Sequence, residues 1–300
     1  MKKTKTFSES EIRPKDLEAG QKIAIQNDIN NLLSKKGDFV EVDCPACGEK
    51  NKNEKFNKNG FSYTDCKNCN TFYLNPRPTE KIIEEFLEHS ENYKYWSKYI
   101  FPTSAEVRRK KIFIPRVERI LDLCQKYGVR QDFLLEVGAG YGIFCEELNK
   151  KKVFKKVVGV EPSPTLAEIC RDKGVETIET TIEKAAGGIK ERFNVVVNFE
   201  VIEHLFSPRE FIIACKKLLK PGGLFIVTCP NSEGFDVVTL GVGSDTVDHE
   251  HLNYFNPDSL ATLLQKCGFE VIEKMTPGKL DADIVRNKIL DGSYDITNQP

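Results

Sequence analysis

From residue 133 onward the chain alternates short apolar runs with stretches of helical period, and this rhythm restricts the fold more than any other feature. Apolar runs at 133–137, 157–160, 175–178, 193–198, 224–228 and 269–274 read as strands. Amphipathic patterns through Leu148, from Pro164, and over 207–219 and 257–266 read as the helices between them. Strands that are apolar on both sides and separated by helices imply a parallel sheet covered on both faces. Right-handed crossovers then give a doubly wound, Rossmann-like α/β fold with its site at the strands' carboxyl ends.

The 132 residues before this rhythm have a different character. Residues 1–40 are polar, with one helical pattern (Leu17, Ile23, Ile25, Ile29, Leu32, Leu33) stopped by Gly37. Residues 41–79 are rich in Cys, Asn, Lys and Gly and end in Asn75-Pro76-Arg77-Pro78. Residues 80–130 read as a helical connector. Their aromatic stretch, 93–101, is either a lid over an acceptor pocket or packing between domains. The expected organisation is thus a helical segment 1–40, a small unit 41–79, a connector or lid 80–130, a main domain 131–276 and a tail 277–300.

Cys44-Pro-Ala-Cys47 and Cys66-Lys-Asn-Cys69 are the strongest local motif. Each Cys-x-x-Cys wraps a turn whose backbone N–H groups face the sulfurs, and two such turns supply the four thiolates of a tetrahedral Zn²⁺ site. Such a site has no open position for water, so the expected role is structural. An iron–sulfur cluster, two disulfides or unligated core thiols are the alternatives. The other six of the ten cysteines sit singly in apolar or helical patterns, which fits a reducing cytoplasm better than a secreted disulfide scaffold.

Net charge excludes further classes. The 44 Lys and Arg nearly cancel 45 Asp and Glu, which argues against a dedicated nucleic-acid binder or a polybasic membrane-surface protein. No apolar run approaches a membrane span, and no apolar segment follows the basic start.

Glu136-Val-Gly138-Ala-Gly140-Tyr141-Gly142 follows the first strand of the main domain and opens a helix, and Glu161 ends the second strand. A carboxylate there accepts the ribose hydroxyls of a nucleoside lying across the strand ends. Alone the glycines are weak, because the third position of a dinucleotide fingerprint is Ile143. Four segments in order carry more: LLEVGAGYG (134–142), VVGVEPSP (157–164), FNVVVNFEVIEHL (193–205) and LKPGGLFIVTCPN (219–231). Over about residues 132–275 the chain resembles class I S-adenosylmethionine-dependent methyltransferases. The resemblance implies that Glu136, Gly138, Gly140, Tyr141, Gly142, Glu161 and Glu200 bind S-adenosylmethionine. It also implies that Thr181 and Ile182 flank its adenine, although that segment matches poorly. With the preceding cysteines and Phe72–Pro78, the pattern is similar to zinc-bearing methyltransferases that include sugar C-methyltransferases.

Glu200-Val-Ile-Glu203-His204 resembles the segment beside the acceptor in methyltransferases of the ubiquinone type. Some of those hold a divalent cation with Glu, Glu and His, which would place Mg²⁺ at Glu200, Glu203 and His204. As chemistry, a His near pKa 6.5 also serves as general base; capping of the turn is the ordinary alternative. His249 and His251 are weighed between substrate contact or proton transfer and plain structural hydrogen bonding, with metal binding by the pair ranked below both. The expected reaction is methyl transfer to a small molecule, a sugar or nucleotide sugar. O- or N-methylation of another metabolite, or a non-catalytic scaffold, are the alternatives. The resemblance also implies a seventh, antiparallel strand between the fifth and sixth. No apolar run after residue 276 can supply it, so the fifth strand is expected at a poorly covered edge, with homodimerisation there. The tail helix is expected to turn Leu280, Ile284 and Ile289 or Leu290 inward.

Overall fold

A computed structural model describes residues 7–295. The chain divides into two compact units. One comprises the chain up to Ala105, Glu203–Phe206 and the chain from Pro230 on; the other comprises Glu106–Ile202 and Ser207–Cys229.

The first unit is built on an antiparallel sheet of β1 (Lys52–Lys58), β2 (Phe61–Cys66), β3 (Phe72–Leu74) and the two-residue strand Asn253–Tyr254, in that order. Alternation puts Phe61, Tyr63, Phe72 and Tyr254 into one core. Phe72 pairs with Tyr254 across the ladder, and their rings stack at 4.2 Å. Two helices close this core. Glu18–Ser34 contributes Ile29 and Leu32. Glu80–His89, capped by Thr79, contributes Ile82 and Phe86. Ile23, one of the apolar residues in the sequence pattern of the first helix, is 66% exposed, whereas Asp28 is buried.

Arg77 is 1% exposed and ties this unit together. Its guanidinium donates to the carbonyls of Leu74 (3.1 Å), Leu252 (3.2 Å) and Phe206 (3.3 Å) and to Asn253 Oδ1 (3.0 Å). Every acceptor is neutral, so burial holds the guanidinium at about 10.

The second unit carries a parallel sheet of β4 (Phe133–Val137), β5 (Lys156–Val160), β6 (Glu176–Ile178), β7 (Phe193–Phe199) and β8 (Leu219–Thr228). Their spatial order is β6-β5-β4-β7-β8. All seven residues of β7 are buried, as a central strand requires, while β8 is half-buried and ends the order. Helices Ile114–Lys126, Ile143–Lys151, Pro164–Asp172 and Pro208–Leu218 cover the sheet. Cys124, Cys145 and Cys170 serve in the core as small apolar groups. This is the Rossmann-like fold expected from the strand–helix rhythm.

One expectation fails and one holds in part. Residues 269–274 form no strand, and Ile272 is 49% exposed. The reason is pairing: the neighbour of a sixth strand would be the seventh, and no strand follows residue 254 among the described residues. The tail does form a helix, Asp281–Leu290; Leu280, Ile284 and Ile289 are half-buried as expected, Val285 is its buried residue, and Leu290 is 71% exposed. Residues 296–300 of that tail lie outside the described residues.

Candidate functional site

The strand–turn–helix after β4 sets the geometry of the second unit's site. Gly138, Gly140 and Gly142 have φ of 80°, 55° and 67°, values that side-chain-bearing residues adopt only under strain. They play different parts. A Cβ on Gly138 would strike Val201, and one on Gly142 would meet Cys170 at 2.9 Å, so both permit close packing. A Cβ on Gly140 would point into open space.

Glu161 follows β5 and reaches back to this turn. Its Oε2 accepts from Gly140 N (2.8 Å) and its Oε1 from Ser163 N (2.9 Å). It is 6% exposed, and burial raises its pKa against the pull of those two N–H groups. Each oxygen keeps a lone pair for a hydroxyl. The turn and Glu161 therefore form one hydrogen-bonded cradle at the strands' carboxyl ends, with a vacant position over Gly140.

The other residues expected here are more dispersed. Glu136 is 3% exposed inside β4; Cys145 Sγ donates to it at 3.0 Å, and burial pushes it up to about 8. Tyr141 is half-buried. Thr181 precedes the short helix Ile182–Ala185 without a side-chain bond to it, and Ile182 is buried. Glu200, at φ 54°, accepts from Thr228 Oγ1 (2.6 Å) and Arg116 Nη2 (3.2 Å).

Two polar residues escaped the sequence reading. Arg116 lies over the Phe199 ring at 4.8 Å as well as binding Glu200. Asn198 is fully buried beside Val137 at the end of β7. It donates to the Val137 carbonyl at 2.9 Å and leaves its own Oδ1 without a partner. A polar residue closing the run Val195-Val-Val-Asn198 was the available signal. An open cleft of about 300 Å³ at the opposite, amino-terminal strand ends is lined by Arg130, Asp132, Asn194 and Lys220. It lies away from where open α/β sheets bind ligands.

The first unit holds the cysteines and the histidines. Cys44 and Cys69 lie 3.5 Å apart at sulfur, as do Cys47 and Cys66, and all four sulfurs fall within 4.8 Å of one another. Zn–S bonds of about 2.3 Å in a tetrahedron put sulfurs about 3.8 Å apart. The donor set and its spacing therefore fit zinc.

His204 and His251 face one another, with ring centroids 4.7 Å apart. His204 Nδ1 meets the Glu250 carbonyl at 3.0 Å, and His251 Nδ1 meets the Thr246 carbonyl at 2.8 Å. Carbonyls only accept, so each Nδ1 carries a proton. Burial, reinforced by His251, lowers His204 to about 3; it is neutral at pH 7 and far from the value near 6.5 expected of a poised base. His249 is buried apart from this pair, against Phe61 and Phe86.

The metal group expected at Glu200, Glu203 and His204 does not form. Glu203 and His204 cluster with His251, while Glu200 is held by Thr228 and Arg116. Glu200 begins the turn out of β7 in a left-handed conformation, and its carboxylate is committed within the sheet unit.

This site and fold define an α/β nucleotide-binding domain with a glycine turn and an acidic second strand, the arrangement of methyltransferases. The family described as "Methyltransferase domain" matches residues 106–274, more than half of the chain, and the protein belongs to that family. The ubiquinone biosynthesis O-methyltransferase of Cereibacter sphaeroides (strain ATCC 17029 / ATH 2.4.9) is 30% identical over 153 residues, covering 47% of this chain and 61% of that protein. The C-methyltransferase NovU of Streptomyces niveus is 31% identical over 170 residues, covering 54% and 39%. Among solved structures, an S-adenosylmethionine-dependent methyltransferase from Clostridium acetobutylicum is similar with TM-score 0.48 at 15% identity, covering 60% of this chain and 93% of that one. The chain thus spans about three-fifths or less of the length of these two curated relatives.

Proposed function

We propose that this chain transfers a methyl group from S-adenosylmethionine to a small-molecule acceptor, a sugar or nucleotide sugar. The observation that carries the reading is the cradle of Gly140 and Glu161. Gly140 leaves open the space a Cβ would fill, and the carboxylate bonded to its N–H keeps lone pairs for two ribose hydroxyls. Gly138 and Gly142 bring the backbone close enough for contact, and the orphan Oδ1 of Asn198 offers a further acceptor. Glu136, Tyr141, Thr181, Ile182 and Glu200 complete the proposed cofactor set. The bound cofactor supplies an electrophilic sulfonium methyl; the protein supplies position, the larger part of catalysis in such displacements.

Proton removal from the acceptor falls to His251, whose Nδ1 is fixed by the Thr246 carbonyl, while His204, held at about 3 by burial and so a weak base, faces it and orients the acceptor. His204 follows the end of β7 by five residues. Zinc held by Cys44, Cys47, Cys66 and Cys69 has a structural role, since four thiolates leave no open position. Similarity to the C-methyltransferase favours a carbon acceptor; similarity to the ubiquinone enzyme favours a hydroxyl on another metabolite as the second reading.

Labelled methyl transfer from S-adenosylmethionine across nucleotide sugars and phenolic metabolites separates these. Calorimetry with S-adenosylhomocysteine tests the cofactor site alone. Absence of binding there would reduce the chain to a scaffold.

A further inference from the structure

The first unit contains a buried polar cluster whose side chains have no part in the function proposed above. His249 is 4% exposed, and neither of its ring nitrogens has a hydrogen-bond partner. A buried imidazole left in that state forfeits both its hydration and its donor and acceptor bonds, so the surrounding chemistry should supply an occupant. Its Nε2 lies 4.0 Å from Glu250 Oε1, and a ligand atom from each of Asp28, His249 and Glu250 falls within 4.8 Å of the others. A void of about 10 Å³ touches His249, Glu250 and His204 and is otherwise walled by Leu32, Pro78, Ile83, Phe86, Leu87 and Leu252. It has room for one atom-sized guest.

The two carboxylates are held as ligands usually are. Asp28 Oδ2 accepts from Ser90 Oγ (2.6 Å) and Asn92 N (3.0 Å), and Oδ1 from Glu91 N (2.8 Å) alone, so Oδ1 keeps a lone pair. Asn92 Nδ2 donates to Glu250, and Gln21 donates to Asn92 Oδ1 at 3.3 Å. Outer hydrogen bonds of this kind orient first ligands and fix their charge.

We propose that Asp28, His249 and Glu250 bind a single divalent first-row transition cation, separate from the cysteine site. One imidazole and two carboxylates suit the Mn²⁺-to-Zn²⁺ series. Mg²⁺ prefers an all-oxygen shell, and the imidazole of His249 favours the transition metals over it. The ion would join helix Glu18–Ser34 to the loop that carries His251, and so hold that loop in place.

Mn²⁺ is the discriminating probe, because four thiolates prefer zinc strongly and will not exchange it for manganese. The full chain, carrying its zinc, is titrated with Mn²⁺ while the free-ion electron paramagnetic resonance signal is followed. One Mn²⁺ per chain should bind, with an upward shift of the melting temperature. Glu250→Gln and Asp28→Asn should each lower that affinity at least tenfold, and His249→Ala should abolish it, with zinc content and S-adenosylhomocysteine binding retained. Glu250→Gln and Asp28→Asn keep side-chain shape, so circular dichroism separates lost ligation from lost folding should His249→Ala fail to fold. No manganese bound, or manganese bound equally by wild type and the two isosteric variants, overturns the proposal. Neither result bears on the cofactor cradle, which lies in the other unit.

Discussion

Glu161 carries two roles at once, and its replacement should reveal both. Its carboxylate anchors Gly140 through one oxygen and Ser163 through the other, so Glu161→Ala removes a proposed ribose ligand and the brace of the glycine turn together. Affinity for S-adenosylhomocysteine, measured by calorimetry, should fall by about 1.5–3 kcal/mol, the range for hydrogen bonds to a charged group, with zinc retained. Unchanged affinity would place the ribose elsewhere. On the acceptor side, His251→Ala should slow methyl transfer by about 100- to 10,000-fold while cofactor affinity stays within twofold, and His204→Ala should slow it less. For His251, a loss of affinity as large as the loss of rate would remove it from the role of base. The glycines, Glu161 and the cysteines were legible in the sequence because their chemistry rests on short, fixed spacing. Asp28, Arg77, Arg116 and Asn198 were not. Each owes its role to partners far along the chain: Asp28 binds at Ser90–Asn92, and Arg77 at Phe206 and Leu252–Asn253.

At the scale of elements, periodicity identified what is buried and missed what depends on pairing. β4, β5 and β7 are apolar on both sides because both faces are covered, and their residues say so. The 269–274 run has Phe269 and Ile272 but no flanking strand, and an apolar run without a ladder partner stays irregular. Conversely, Asn253–Tyr254 is too short to show any period, yet it completes the sheet of β1–β3. That strand links the cysteine turns to the histidine loop, since β3 pairs with it and Asn256 Nδ2 donates to the Cys69 carbonyl at 3.1 Å. Removing zinc should therefore be felt beyond the turns. Native mass spectrometry should find one zinc per chain. Stripping it with a strong chelator should free four thiols to alkylation and open both 41–79 and 246–256 to protease, because binding energy at such sites is folding energy, on the order of 10 kcal/mol in zinc-finger peptides. A metal-free chain that keeps both segments protected would sink the structural role.

For the molecule as a whole, buried titratable groups set opposing limits on stability. In the first unit, burial lowers His204 to about 3. Between that value and its ordinary 6.5 the unfolded chain binds the extra proton, so stability rises with pH across this window and is lost as pH falls. Glu136, in the sheet unit, has the opposite sign: burial pushes it from 4.5 up to about 8. Between those values the folded chain binds the extra proton, so stability is greatest below 4.5, declines as pH rises towards 8, and levels off above it. Glu250 is raised by burial and by Asp248 and acts in the same direction in its own unit. From pH 6.5 to 8 these acids oppose stability while His204 no longer titrates. Glu136 is the informative one, since its partner Cys145 is a weak donor within the same core. Urea unfolding of the sheet unit, followed by a probe placed within it, should show stability falling between pH 6 and 8 by at most about 1.4 kcal/mol per pH unit for this one proton. Glu136→Gln, which keeps the shape and cannot ionise, should flatten that decline and be the more stable form at pH 8. Equal slopes for wild type and variant would mean that Glu136 is already ionised in the folded protein at neutral pH, with its charge met by Arg116, the one cation that pulls it down.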